Sequence, residues 1–207
     1  TYQYLGGLRL ADERIQRIEA AQEALINANP ELATRLTPAE FAERAARHAL
    51  ERVLKVDYTG YTFLDRGSDE RQYCAPGVDL PVVSIMRSKY GTYPEYHTSL
   101  DDLSLISPEG LLGGFNATRT AIEVLEANEV LRSTVQCEPW LSPRGLRAPL
   151  VDGKTLDGWS RLVSNVMAYS DGTTDLLGIA ELLGCPVFEV AAAARALKAH
   201  GLLAPAA

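Results

Sequence analysis

The sequence predicts an α/β chain in two unequal parts, and three observations carry that reading. Residues 80–86 are almost wholly apolar through Val82, Val83 and Ile85, as expected of a strand covered on both faces. Segments with helical periodicity flank this run in the sequence. Near the C-terminus, three short helices, a tight turn at Gly184, Cys185 and Pro186, and a tail of Gly201, Leu202 and Leu203 form the skeleton of a winged-helix unit. The expected organisation is an α/β domain over residues 1–132, an extended linker over 133–155 and a winged-helix-like domain over 156–207.

The elements follow in order. Leu8, Ile15, Ile18, Leu25 and Ile26 recur at helical spacing, predicting an amphipathic helix over residues 8–27 that stops near Asn29 and Pro30. Thr37, Pro38 and Glu40 form a helix start, because Thr37 can cap the amide of Glu40 and Pro38 gives up no needed donor. That helix should run to about Lys55 and bury Phe41, Ala45, Leu50, Val53 and Leu54. A strand over 56–64, carrying Tyr58 and Thr62, and a second over 80–86 each lead into a polar loop. Ser107 and Pro108 open a long helix with Leu111, Phe115, Ile122 and Leu125 on its buried face, ending near Arg132. Residues 133–154 have turn formers and little periodicity, and Trp140 and Trp159 are expected to anchor this stretch and the next helix. Helices over 156–169, 174–183 and 186–199 complete the chain.

Composition narrows the function classes. With 46% hydrophobic and 23% charged residues the chain suits a packed core, and no apolar stretch is long enough to span a bilayer, so a cytoplasmic protein without a membrane partner is expected. A formal charge of −7 disfavours nucleic acid as the main partner. The winged-helix segment repeats this bias, with Arg161, Arg195 and Lys198 opposed by Asp157, Asp171, Asp175, Glu181 and Glu189. A DNA-binding regulator is therefore the weakest of three readings. Cys74, Cys137 and Cys185 lie far apart and read as reduced thiols, Cys74 as a packed one. His48 reads as a surface or boundary residue, and His200 as a helix C-terminal residue.

The chemistry is expected in the two loops. The first holds Ser68, Asp69, Glu70, Arg71 and Tyr73, and the second holds Tyr96, His97, Thr98, Asp101 and Asp102. Polar groups on loops between buried strands are either a ligand site or a solvated turn with ordinary ion pairs, and composition leaves both open.

Residues 67–77, Pro81, Met86, Arg87, Tyr90, Gly91 and residues 93–102 resemble the aminopeptidase-like proteins encoded with polysaccharide and natural-product biosynthesis genes. The resemblance is dense over residues 64–112. It continues through Cys137, Glu138, Pro139, Gly145, Leu146 and the turn at Asp171, Gly172 and Thr173. It implies part of a mixed sheet of the zinc-aminopeptidase type, flanked by helices and followed by a small winged helix. It also implies that His97 ligates zinc, with Tyr96 and Thr98 positioning the ring and Asp101 or Asp102 accepting from it. Ser68 and Asp69 would border a substrate pocket. Arg71 and Tyr73 would either grip an anionic group or pair within the loop. Glu70 stands where the broader superfamily has His, so that residue's role does not transfer; Glu70 and Tyr96 are still expected among the substrate-binding residues, with Ser68, Asp69, Arg71 and Tyr73.

The remaining ligands and the general-base Glu of that family lie upstream of the part resembling Thr1 to Gly6. Residues 7–36 read as a helix where the resemblance implies an apolar strand. An upstream half or a partner subunit is therefore expected to complete the site, and a homo-oligomer is a further expectation. The resemblance implies a zinc-dependent hydrolase of a small aminoacyl or peptidyl substrate. A metal-free binding or carrier-processing module on the same scaffold is the alternative.

Overall fold

The computed structural model describes residues 38–75, 78, 80–148 and 157–206. The helix expected over 8–27 and the Thr37 cap lie outside them. The chain is mixed α/β, with helices and a small sheet. Its described residues fall into two compact units, one ending at Leu125 and the other running from Glu126.

In the first unit, helix α1 (Pro38–His48) continues into a π-helical segment, Ala49–Leu54, closed by Lys55 at φ 52°. Ala45, His48 and Ala49 are spaced to share one helix face, and all three are buried. His48 is only 3% exposed, so the expectation of a boundary residue is corrected. The wider π turn then rotates Val53 and Leu54 away from that face, which leaves them only part-buried.

Neither strand expected in this unit forms a ladder among the described residues; Tyr58 and Ile85 are each an isolated bridge. Over 56–64 the chain instead tightens into a single 3₁₀ turn, Phe63–Asp65, where Thr62 Oγ1 accepts from the Leu64 amide at 3.3 Å. Over 80–86 the backbone bonds locally. The Leu80 amide donates to the Tyr73 carbonyl at 2.7 Å, and the part-buried Cys74 thiol donates toward the carbonyls of Leu80 and Val82 at 3.4 and 3.3 Å. An apolar run becomes a paired strand only where a second edge lies beside it.

Between these segments sits α2 (Glu70–Tyr73), a single turn. Helix α3 (Pro108–Ala127) is capped as expected, Ser107 Oγ accepting from the Gly110 amide at 3.0 Å. Its buried stripe is Ala117, Thr120, Ala121 and Val124, whereas Leu111 and Phe115 are exposed. Periodicity says which residues share a face, not which face is covered. The helix stops at Ala127 rather than near Arg132, because residues from Val130 onward are taken into a sheet.

That sheet belongs to the second unit, a winged helix. Its order is β2-β1-β3, from β1 (Val130–Ser133), β2 (Asp171–Asp175) and β3 (Leu203–Pro205), all antiparallel. Helix α4 (Gly158–Tyr169) connects β1 to β2, while α5 (Leu176–Leu183) and α6 (Val187–Ala199) lie between β2 and β3. Leu131, Val163, Leu177, Ile179, Val190 and Leu197 are fully buried and form its core. Asp157 caps α4 at the Ser160 amide (2.7 Å), and Asp175 caps α5 at the Gly178 amide (2.6 Å). Asn128 links β1 to this cap, donating to Asp175 Oδ2 at 2.9 Å and accepting from the Leu177 amide at 2.8 Å.

Strand β2 reads in sequence as a turn and then a helix start. The Asp171 carboxylate does bond the amides of Thr173 and Thr174 as a turn would, yet the segment pairs with β1. Gly172 makes this approach feasible: its φ is +89°, and a Cβ there would lie 2.5 Å from Arg132 Nε. Trp140 and Trp159 are both exposed and are not anchors. Leu141 and Leu146, on either side of the 3₁₀ turn Ser142–Arg144, are the buried residues of that stretch.

Candidate functional site

The first unit holds a cleft of about 620 Å³. Glu70, Lys89 and Tyr90 are among its polar lining residues, with Glu43, Arg47, Asp65 and Arg66, and Tyr61, Phe63 and Met86 contribute to its apolar lining. Glu70 is the centre of the bonding here. Its Oε1 accepts from the amides of Gly67 (2.9 Å) and Ser68 (3.2 Å) and from the Tyr90 hydroxyl (2.7 Å). The same hydroxyl lies 3.1 Å from the Asp65 carbonyl. The other carboxylate oxygen, Oε2, is buried with no hydrogen-bond partner among the described residues.

These contacts set the charge. Burial works against ionising Glu70, but the bond from Tyr90 and those from the backbone amides prevail and hold its carboxyl at about 2. Burial and the Glu70 carboxylate together push the Tyr90 hydroxyl up to about 12. Because the folded value of Glu70 is depressed below its ordinary 4.5, the stabilisation is full above pH 4.5 and drains as pH falls toward 2. Amide protection of Gly67 and Ser68, followed by hydrogen exchange, is expected to fall over that interval in the wild type. In Glu70→Gln it should be lower at pH 7 and flat with pH.

Gly67 is required by close approach. A Cβ at this position would sit 2.3 Å from Tyr90 Cε2, so the Tyr90 ring lies directly on the Gly67 backbone. Lys89 lies between rings, its ammonium 4.7 Å from the Tyr61 centroid and 5.4 Å from that of Tyr90, with the Asp65 carboxylate 4.0 Å away. Arg66 stacks on Phe63 at 4.8 Å. Arg47 is paired with Glu43, and the Tyr58 hydroxyl bonds the Glu51 carboxylate. Burial and that carboxylate raise Tyr58 to about 12.

The second loop is joined to the first through aromatic rings. Tyr90 and Tyr96 have centroids 6.4 Å apart, Tyr93 meets Tyr96 edge-on at 5.7 Å, and His97 stacks on Tyr96 at 4.0 Å and 14°. His97 itself has φ 58°, an uncommon backbone for a bulky side chain, and is exposed. It does not line the cleft.

The supports expected around His97 are only partly there. Tyr96 does orient the ring by stacking. Thr98 instead closes its own turn, donating to the Glu95 carbonyl at 2.9 Å and accepting from the Leu100 amide at 3.2 Å. Asp102 caps the single turn Leu103–Leu105 through the Ser104 amide at 2.8 Å. Among the described residues no three His, Cys, Asp or Glu side chains come together to hold a metal. These residues therefore do not fit a complete zinc centre, for which three or four protein ligands are needed.

Of the other expected residues, Ser68 supplies an amide to Glu70, whereas Asp69, Arg71 and Tyr73 are exposed and off the cleft wall. A one-turn helix turns neighbouring side chains in different directions, so only one residue of 69–73 is drawn in beside Tyr90. Sequence reasoning did not weigh Lys89, Tyr61 or Asp65 as site residues. The local signal available for Lys89 and Tyr90 was their place before Gly91, a positive-φ turn residue that reverses the chain.

Comparison with known proteins extends the picture. Residues 30–128 match a family described as a domain of unknown function, DUF4910, and residues 129–205 match a winged helix-turn-helix family. A Clostridium acetobutylicum protein, described as a polysaccharide biosynthesis protein with aminopeptidase-like domain, is 36% identical over 148 residues, covering 71% of this chain and 34% of the relative. A crystal structure of a protein from the same organism, described as a peptidase, aligns with a TM-score of 0.66 and 30% identity over 79% of this chain and 36% of that one. The chain thus spans 34% and 36% of the lengths of these two proteins. It is similar along most of its length to an aminopeptidase-like biosynthesis protein, and its C-terminal unit is a winged helix.

Proposed function

We propose that this chain is the substrate-cleft part of an aminopeptidase-like hydrolase that acts on a small aminoacyl or peptidyl substrate in a biosynthetic pathway. The carrying observation is Glu70, which lines the cleft with Lys89 and tyrosine rings and whose buried Oε2 has no donor among the described residues. An acceptor left in that state costs about 1–3 kcal/mol until a donor reaches it. An amine or amide N–H on a ligand is such a donor. Lys89, with its ammonium held between two rings and only weakly paired to Asp65, can meet an acyl oxygen or carboxylate. The similarity to an aminopeptidase-like protein supports the same reading.

In this proposal His97 contributes one imidazole to a zinc ion whose other ligands come from outside the described residues. The residues of this chain bind and orient: Glu70 and Lys89 hold the two ends of the substrate, and Tyr96 keeps the His97 ring in place. The winged helix, acidic overall, is assigned to protein packing rather than to DNA.

The test is zinc content and hydrolysis of small aminoacyl amides by the purified protein. His97→Ala is expected to lose bound zinc and to slow turnover by about a hundredfold or more. Undiminished zinc and rate in that variant would remove the assignment. The lack of a three-ligand group among the described residues favours a second reading, a metal-free binding module on the same scaffold. Binding of an aminoacyl amide that depends on Glu70, without zinc or turnover, would select it.

A further inference from the structure

In the winged helix, α4 and α6 pack side by side and border a groove of about 600 Å³. Arg161, Leu162 and Asn165 line it from α4, and Phe188, Glu189 and Ala192 line it from α6. Both sets are spaced to share one helix face, so each wall of the groove is a single stripe. Trp159, 41% exposed, and Leu183 add to its apolar lining. Aromatic side chains left half in water over an apolar groove are the type that anchors protein interfaces.

The charges indicate what covers it. Arg161 and Glu189 are exposed, and neither makes an ion pair among the described residues, with the other or with a third group. The groove therefore presents one unneutralised cation on one wall and one unneutralised anion on the other. A partner of a single charge sign would satisfy one of these and repel the other. A second copy related by a two-fold axis satisfies both, because Arg161 of each copy then meets Glu189 of the other. Over most other approaches two copies repel, since the chain carries a formal charge of −7. We infer that this groove is the self-association face of the protein, with Trp159, Leu162 and Phe188 packed across the axis and two Arg161–Glu189 pairs closing its rim. The inference does not rest on the hydrolase reading.

Analytical ultracentrifugation of the 207-residue chain tests it. Wild type is expected to dimerise with a dissociation constant on the order of tens of micromolar, because a groove of this size places the interface at the small end of the range. Arg161→Glu and Glu189→Arg should each weaken the dimer by at least about tenfold, since either reversal sets two like-charged pairs across the axis. The double variant should recover dimerisation to within about threefold of wild type. An equimolar mixture of the two single variants should also form dimers, because each reversed side chain then faces its opposite charge. Both positions are exposed, so every variant should melt within about 2 °C of wild type. Recovery in the double variant separates lost contact from lost folding.

A wild type that stays monomeric at about 200 µM would overturn the inference and leave the groove to another polypeptide. A dimer that ignores both single reversals would overturn it as well, since it would sit on another face. So would a dimer lost in the single variants and regained neither in the double variant nor in the mixture, because the two side chains would then not meet across an axis. None of these readouts needs turnover, zinc or an aminoacyl ligand.

Discussion

Gly67→Ala is expected to dislodge Tyr90 and dismantle the polar wall of the cleft. The backbone at Gly67 is not in the left-handed region, so alanine meets no conformational penalty there; the cost is steric. The added Cβ would fall 2.3 Å from Tyr90 Cε2, and the ring cannot shift freely because its hydroxyl is held by Glu70 and sits against the Asp65 carbonyl. Displacing it loses a charged hydrogen bond and leaves Glu70 short of a donor, for a combined cost of about 2–3 kcal/mol. Hydrogen exchange at Gly67 and Ser68, whose amides bond Glu70, should accelerate.

A double-mutant cycle isolates the cause. On a Tyr90→Ala background, Gly67→Ala should cost less than about 0.5 kcal/mol, since the ring it strikes is gone. Equal cost in both backgrounds would mean that the glycine is needed for some other reason. Affinity for an aminoacyl amide should fall with Gly67→Ala as well, because Glu70 and Tyr90 both line the cleft.

Leu177→Ala should have the largest effect on the second unit. Leu177 is fully buried, and its amide is already fixed by Asn128, so the backbone has little room to collapse into the space left behind. A truncation of this type costs about 3–5 kcal/mol through lost transfer energy and the residual cavity. Both tryptophans of the chain, Trp140 and Trp159, lie in this unit, so their fluorescence in a denaturant titration follows it alone. The midpoint of that transition should fall, while the protection of Gly67 and Ser68 in the other unit stays unchanged. A fall in both would show that the two units unfold together.

What was legible from sequence was local. Pro38, Ser107 with Pro108, and the turn at Gly184, Cys185 and Pro186 mark helix ends through bonds made within a few residues, and α1, α3, α5 and α6 begin or end there. The winged helix followed from these signals, because its three helices and tail have little freedom in how they pack. The two loops were expected to hold the site, and of the candidates named in them only Glu70 lines the cleft.

What needed the tertiary structure was every choice between equivalent surfaces. The stripe of Leu111 and Phe115 is as periodic as that of Ala117, Ala121 and Val124, and only packing decides which one meets protein. Residues 80–86 read as a strand, but pairing requires a second edge, which the composition of the run itself does not carry. Strand β2 reads as a turn because Asp171, Gly172 and the threonines satisfy one another; its membership in the sheet is imposed by β1. Within 69–73, Asp69, Glu70, Arg71 and Tyr73 were all candidates for the site. The ring of Tyr90, twenty positions along the chain, selected Glu70. Short-range hydrogen bonds are written in neighbouring letters, whereas burial and pairing depend on groups that the chain brings together only once it has folded.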